Sequence, residues 1–139
     1  MSSSLYLVNH ISPTVEEFVA LRNKIGWGSL THDIAQASLD NSLFHVSVRF
    51  DNKLVGMGRV VGDGAMYFYI QDIIIDPDFQ RQGIGQLVME HIESYLLKTA
   101  QQGSTIGLLA AKGKEAFYTR FGYNKRDGDN LGLGMCKFI

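Results

Sequence analysis

The chain is poor in the features that would tie it to a membrane, to nucleic acid or to an oxidising compartment. Nowhere in its 139 residues is there the run of about eighteen apolar residues that a spanning helix needs. Thirteen Lys and Arg stand against fourteen Asp and Glu, a net charge of -1. That leaves no positive excess to hold a phosphate backbone or an anionic bilayer, so neither nucleic acid nor membrane is expected as a partner. The only cysteine, Cys136, has no partner for an internal disulfide and no Cys or His at metal-ligand spacing. A reducing cytoplasm suits it, and its expected place is a small apolar core position near the C-terminus. The start, Met1-Ser2-Ser3-Ser4, carries neither a basic segment nor an apolar run of signal-peptide length, so the protein is expected to stay where it is made.

What is present is an ordinary globular balance, with 45% hydrophobic and 19% charged residues. There is no repeat and no linker-like stretch, so one domain is expected. A short strand, Leu5 to His10, precedes Thr14 and Glu17, which have capping-box spacing. The helix they open should run to about Ile25, with Phe18, Leu21 and Ile25 inward. Gly26-Trp27-Gly28-Ser29 breaks it, and a second helix spans about Thr31 to Leu39.

From Leu43 to Phe50 the pattern alternates, with Phe44, Val46, Val48 and Phe50 opposite His45, Ser47 and Arg49. This predicts a half-buried strand. Asp51-Asn52-Lys53 and Gly62-Asp63-Gly64 turn it into two further strands, Leu54 to Val61 and Ala65 to Ile75, in meander order. After Asp76-Pro77 the period becomes helical, through Ile84, Leu87, Val88, Ile92, Tyr95 and Leu96, and Gly103 is expected to close that helix. A strand from Thr105 to Ala110 follows. Next come a short helix from Gly113 to Phe121, packed through Ala116, Phe117 and Phe121, and a last strand or strands between Tyr123 and Phe138. The order predicts an α+β fold with a mixed sheet flanked by helices.

The most informative segment is Ile73-Ile74-Ile75-Asp76-Pro77-Asp78-Phe79-Gln80-Arg81-Gln82-Gly83-Ile84-Gly85-Gln86. A buried strand enters a loop with two glycines that opens a long amphipathic helix. The first N–H groups of a helix lack internal partners and sit at the positive end of its dipole, which suits a pyrophosphate. Gly83 and Gly85 would admit a ligand close to the backbone, and Arg81 adds positive charge. No third glycine follows in phase for a dinucleotide fingerprint, and no Gly-Lys-Ser/Thr for a Walker loop.

Gln80-Arg81-Gln82-Gly83-Ile84-Gly85 resembles the Gln/Arg-x-x-Gly-x-Gly/Ala signature of the GNAT superfamily of acetyl-coenzyme A dependent N-acetyltransferases. Ala116-Phe117-Tyr118-Thr119-Arg120-Phe121-Gly122-Tyr123 resembles that family's last helix, which ends in Phe-Tyr-x-x-x-Gly-aromatic. The element order agrees over nearly the whole chain, and Gly56 to Gly64 looks like small bacterial members similar to plant plastid amine acetyltransferases. The resemblance implies a GNAT acyltransferase fold with a splayed sheet and acetyl-coenzyme A as cosubstrate, without a metal. It implies that backbone groups of Ile73, Ile74 and Ile75 pair with the pantetheine arm, and that N–H groups from Arg81 to Gln86, with Gln80 beside them, hold the pyrophosphate. Ala110-Ala111-Lys112-Gly113 stands where many relatives place an Asn, so the pantetheine contact of that Asn is not implied here.

A thioester is already activated, so the protein's task is protonic. An alkyl amine with a pKa of about 10.4 must lose a proton, and a departing thiolate with a pKa of about 8.5 must gain one. The resemblance implies that Tyr118 is the general acid. Where relatives carry a Glu or His base, this strand has Tyr69 and Gln71, which are read as acceptor-site residues. Asp72 is the nearby carboxylate and the candidate base, but alternation sends it to the opposite face unless the strand bulges; a bound water is the alternative.

Trp27 falls where the family builds its lid over the acceptor, and it reads equally as a core or homodimer anchor. His10, His32, His45 and His91 show no metal spacing. The expected acceptor is a small-molecule primary amine with an apolar or aromatic body, Tyr67, Phe68 and Tyr69 joining Trp27 as its walls. The alternatives are a non-catalytic acyl-coenzyme A binding module with a sensory role and a purely structural partner.

Overall fold

The computed structural model describes residues 5–28 and 30–139. Met1 to Ser4 and Ser29, the last residue of the expected helix break, lie outside the described residues. The chain divides into two compact units, one through Leu108 and one from Leu109 onward, and each is described by itself.

The first unit is a five-stranded sheet in the order β1-β2-β3-β4-β5. Its strands are β1 (Leu7–Asn9), β2 (Phe44–Phe50), β3 (Lys53–Gly62), β4 (Tyr67–Ile75) and β5 (Thr105–Leu108). Neighbours are antiparallel through β4, and β5 joins β4 in parallel. The hairpins follow the expected turns: Asp51 and Asn52 take positive φ between β2 and β3. The Asp63 carboxylate accepts the N–H groups of Ala65, Met66 and Tyr67 before β4. A parallel pair needs a long crossover, which α3 (Ile84–Thr99) provides.

Two helices, α1 (Val15–Lys24) and α2 (His32–Asp40), precede the meander. Thr14 and Glu17 form the capping box that their spacing predicts. Phe18 and Leu21 of α1, Ala35 and Leu39 of α2, and Leu54, Met57 and Ile74 of the sheet make one buried cluster. Ile25, expected inward, is only partly buried against it.

Helix α3 lies on the other face of the sheet, and glycines set how close it comes. A Cβ on Gly58 would stand 2.6 Å from Ile73 Cδ1 and 2.7 Å from Val88 Cγ1, and one on Gly56 would stand 2.6 Å from Ile84 Cγ2. Ile84, Val88 and Ile92 thereby reach the strand backbone and are fully buried. The alternation of β2 holds as expected, with His45 and Arg49 bonding toward α2 and α1 and Phe44 stacked on Tyr95 of α3. Because helices cover both faces, however, the strand is more buried than the half-buried pattern predicts: Val46, Ser47 and Val48 are all inaccessible.

Several expected boundaries differ. The first strand and the one after α3 are shorter than predicted, Leu7–Asn9 and Thr105–Leu108. Helix α3 ends at Thr99, four residues before Gly103, which serves instead in the turn leading to β5 with φ 98°. Helix α4 of the second unit is shorter than predicted, Glu115–Thr119, and Ala116 is exposed. The expected strand between Tyr123 and Phe138 is absent among the described residues: this stretch is irregular, and Leu131, Leu133 and Met135 are exposed. Cys136 lies in it and is exposed, so it is no core residue.

Two outcomes follow from this packing. Gly58→Ala should cost about 1–3 kcal/mol through overpacking against Val88 and Ile73, read by urea unfolding. Glu17 is held down from 4.5 to about 2, first by its hydrogen bond from Arg49, at 2.6 and 2.8 Å. Partial burial opposes that shift, and the Thr14 N–H adds to it. Its folded pKa being depressed, this pair stabilises the fold above the unfolded value and loses that effect as the pH falls from 4.5 toward 2. The melting temperature should fall across that window, and less steeply in Glu17→Gln.

Candidate active site

The site begins with one extra residue in β4. Met57 opposes Ile74, yet Arg59 opposes Gln71, so Gly58 alone faces both Asp72 and Ile73. This is a β-bulge. Asp72 takes φ 56°, a left-handed conformation that aspartate tolerates better than most residues. The bulge interrupts the alternation, and Gln71 and Asp72 come to the same face, where Gln71 Nε2 donates to Asp72 Oδ1 at 3.1 Å. Tyr69, two residues before Gln71 and opposite Val61, is half-buried on that face.

Asp72 is 2% exposed and meets two guanidiniums. Arg59 Nε lies 2.8 Å from Oδ2, and Arg22 Nη1 of α1 lies 2.7 Å from Oδ1. Arg59 also donates to the Ser38 carbonyl and the Ser42 hydroxyl of the α2 end. Arg22 carries the cluster to Trp27, over whose ring its guanidinium stands at 5.3 Å. Thus Trp27, Tyr69, Gln71 and Asp72, four candidates scattered in the sequence, lie along one surface of the first unit. Beyond Arg59, His45 Nε2 donates to the Leu39 carbonyl at 3.0 Å. Burial first, against the Leu39 hydrogen bond, and then the charge of Arg59 hold His45 below its ordinary pKa.

The edge of β4 is open where the resemblance needs it. The β5 ladder covers Tyr67 to Ile70 and stops at Leu108; among the described residues no strand of the sheet borders the stretch from Gln71 to Ile75 on that side. Ile73 and Ile75 turn their side chains toward α3, and Ile74 turns to the α1–α2 core. Only their backbone is therefore available to a ligand.

Beyond the edge, Asp76 stops the strand. Its N–H donates to the Val55 carbonyl, and its buried carboxylate accepts the Asp78 N–H and an ion pair from Lys24. Burial alone would push Asp76 up; the Lys24 and Asp78 bonds pull it below its ordinary value. A single 3-10 turn, Pro77–Phe79, leads to Gln80, Arg81, Gln82 and Gly83, all exposed. Arg81 and Gly83 take φ 64° and 82°. Gly83 is the N-cap of α3, no side chain caps the helix there, and a Cβ on Gly83 would meet open space. Ile84 anchors the first turn in the core, so only its N–H faces the loop; Gly85 is half-buried and Gln86 exposed. The Tyr6 hydroxyl donates to Gln82 Oε1 and ties the loop to the start of the sheet. A helix start with free N–H groups, beside Arg81 and without a covering side chain, fits a pyrophosphate.

In the second unit, Tyr118 sits on α4, half-buried, with the Phe117 ring edge-on at 5.0 Å. Burial raises its pKa, which keeps the phenol protonated at neutral pH.

Comparison with known proteins agrees with this architecture. A family model described as an acetyltransferase (GNAT) domain matches residues 15–134. The chain belongs to the GNAT family. It is an acyltransferase, with the α+β fold that its element order predicts. The chain is similar to an N-acetyltransferase named ycf52 from Porphyra purpurea, 31% identical over 87% of this chain and 71% of that one. It is also similar to the chloroplastic GCN5-related N-acetyltransferase 2 of Arabidopsis thaliana, 29% identical over 80% of this chain and 43% of that protein. A Staphylococcus aureus protein described as a probable acetyltransferase superposes with TM-score 0.86 at 33% identity, covering 95% of this chain and 99% of that one. No described helix of this GNAT protein is long and apolar enough to cross a membrane.

Arg22 and Arg59, which hold the Asp72 carboxylate, are not singled out in the sequence. Signals existed: Arg59 interrupts the apolar run Val55 to Val61, and Arg22 follows Phe18 by one helical turn. Phe68, expected as an acceptor wall, is buried at 2% exposure and belongs to the core. Asp72→Asn should destabilise the protein by about 3–5 kcal/mol, because it leaves two guanidiniums facing each other without a counter-ion. A loss under about 1 kcal/mol in denaturant unfolding would contradict that account.

Proposed function

We propose that this protein transfers the acetyl group of acetyl-coenzyme A to the primary amine of a small molecule, which attacks the thioester directly. The carrying observation is continuous in the chain: the unpaired edge of β4 at Ile73–Ile75 runs into the uncapped start of α3 at Gly83. Backbone groups of Ile73, Ile74 and Ile75 would hold the pantetheine arm, and the N–H groups from Arg81 to Gln86, with Gln80, the pyrophosphate. The family match runs through both units, which supports reading the chain as one GNAT domain. An exposed, free Cys136 suits a reducing cytoplasm.

Acetyl-coenzyme A supplies an activated acyl group, and the chain's own residues orient the acceptor and manage protons. We assign the general acid to Tyr118, supported by its motif and by the burial that keeps its hydroxyl protonated. Both carboxylate oxygens of Asp72 already accept from guanidiniums. We therefore give proton removal from the amine to a water on the Tyr69–Gln71 side and give Asp72 a positioning role. Trp27 and Tyr69 offer aromatic surface to the body of the acceptor.

The test is release of free thiol from acetyl-coenzyme A across a panel of primary amines; no release with any amine, despite a bound coenzyme, would defeat the reading. For Tyr118→Phe, single-turnover rates should fall about 100-fold, at the low end of general acid–base effects because a thiolate leaves readily. Coenzyme affinity should stay nearly intact. An unchanged chemical step would remove Tyr118 from the reaction.

A further inference from the structure

The acceptor side of the bulge holds more positive than negative charge. The side chains of Arg22 and Arg59 are only 16% and 10% exposed, and both turn to the single carboxylate of Asp72. Among the described residues no other carboxylate pairs with either of them. Arg59 completes its bonding with neutral acceptors, the Ser38 carbonyl and the Ser42 hydroxyl. Arg22 does not: its Nε is buried and has no hydrogen-bond partner among the described residues. Its guanidinium instead stands over the rings of Phe18 and Trp27, at 5.7 and 5.3 Å from their centroids. A guanidinium with N–H groups unspent, in a place largely withdrawn from water, is matched by an acceptor that brings negative charge.

Trp27 lies against it. That ring is 39% exposed, and its flanking residues Gly26 and Gly28 take φ 83° and 78° with open space at their Cβ positions.

We propose that the amine acceptor carries an acidic group, a carboxylate or a phosphate, which binds the Arg22 guanidinium beneath Trp27 while the amine is presented toward Gln71 and Asp72. The proposal rests on the acetyltransferase reading above and narrows its acceptor from amines in general to amino acids and amino phosphates. A planar guanidinium edge recognises both groups by paired N–H bonds, whereas a neutral amide of the same shape offers no charge in return.

The test uses the full chain with acetyl-coenzyme A and measures thiol release on matched pairs. The pairs are α-, β- and γ-amino acids against their carboxamides, and phosphoethanolamine against ethanolamine. At least one anionic member should exceed its neutral partner by about tenfold or more in kcat/KM, and the arm in which it does so identifies carboxylate or phosphate. In Arg22→Gln that ratio should fall below about threefold, while calorimetric affinity for acetyl-coenzyme A stays within about twofold. Should that variant fail to fold, Arg22→Lys, which keeps the charge and loses the planar fork, should still lower the ratio. Neutral partners turned over as fast as anions in every pair, or no anion turned over with coenzyme bound, would overturn the acidic acceptor alone. Failure to bind the coenzyme at all would overturn the acetyltransferase reading with it.

Discussion

A single inserted residue in β4 governs the arrangement of this site. A regular strand would alternate, sending Asp72 away from Gln71; the bulge opposite Gly58 sets both on one face. The left-handed backbone of Asp72 carries a conformational cost, offset by the charge-assisted bonds its carboxylate makes to Arg59 and Arg22. Those bonds in turn join two strands of the sheet to the two helices on that face: Arg59 from β3 with the end of α2, Asp72 from β4, and Arg22 from α1. The same irregularity falls next to the point where the β5 ladder ends, so the arginine–aspartate cluster and the open backbone edge are neighbours on one strand.

The opposite face solves a different problem. There α3 must lie close to the sheet for its first turn to meet the end of β4, and Gly56 and Gly58 make room for Ile84, Val88 and Ile92. Side chains of alternate strand residues are thus fully occupied on both faces, with Ile74 in one core and Ile73 and Ile75 against the other. Three apolar residues that contribute to packing leave their backbone on an edge that no strand of the sheet covers. Sheet and helix start are coupled further by Lys24, which bonds Asp76 and Asp78 across from α1.

Most of the first unit was legible in the sequence, because its signals are local. Thr14 and Glu17 predict a cap, Asp51-Asn52 and Gly62-Asp63-Gly64 predict turns, and the change of period after Pro77 predicts α3. The bulge at Asp72 was legible only as a condition, since it depends on which residues face it across β3. The two arginines were not singled out, because a charge in an apolar strand gains its meaning from a partner fifty positions away, as in Arg22 and Asp72. The segment after Tyr123 misled for a related reason: an apolar pattern such as Leu131, Leu133 and Met135 states a preference for a strand, while pairing requires a neighbour. The glycine loop that opens α3 was legible because its signals are local: Gly83 is the N-cap, and no side chain caps the helix there.

The backbone of β4 and the start of α3 are proposed to act as one ligand surface. Hydrogen exchange followed by mass spectrometry, with and without acetyl-coenzyme A, addresses that surface directly. Segments spanning Gln71 to Asp76 and Gln80 to Leu87 should exchange more slowly when the coenzyme is added, and α2 should not. Coenzyme binding that left both segments unchanged would contradict the assignment of the open edge and the uncapped helix start as its site.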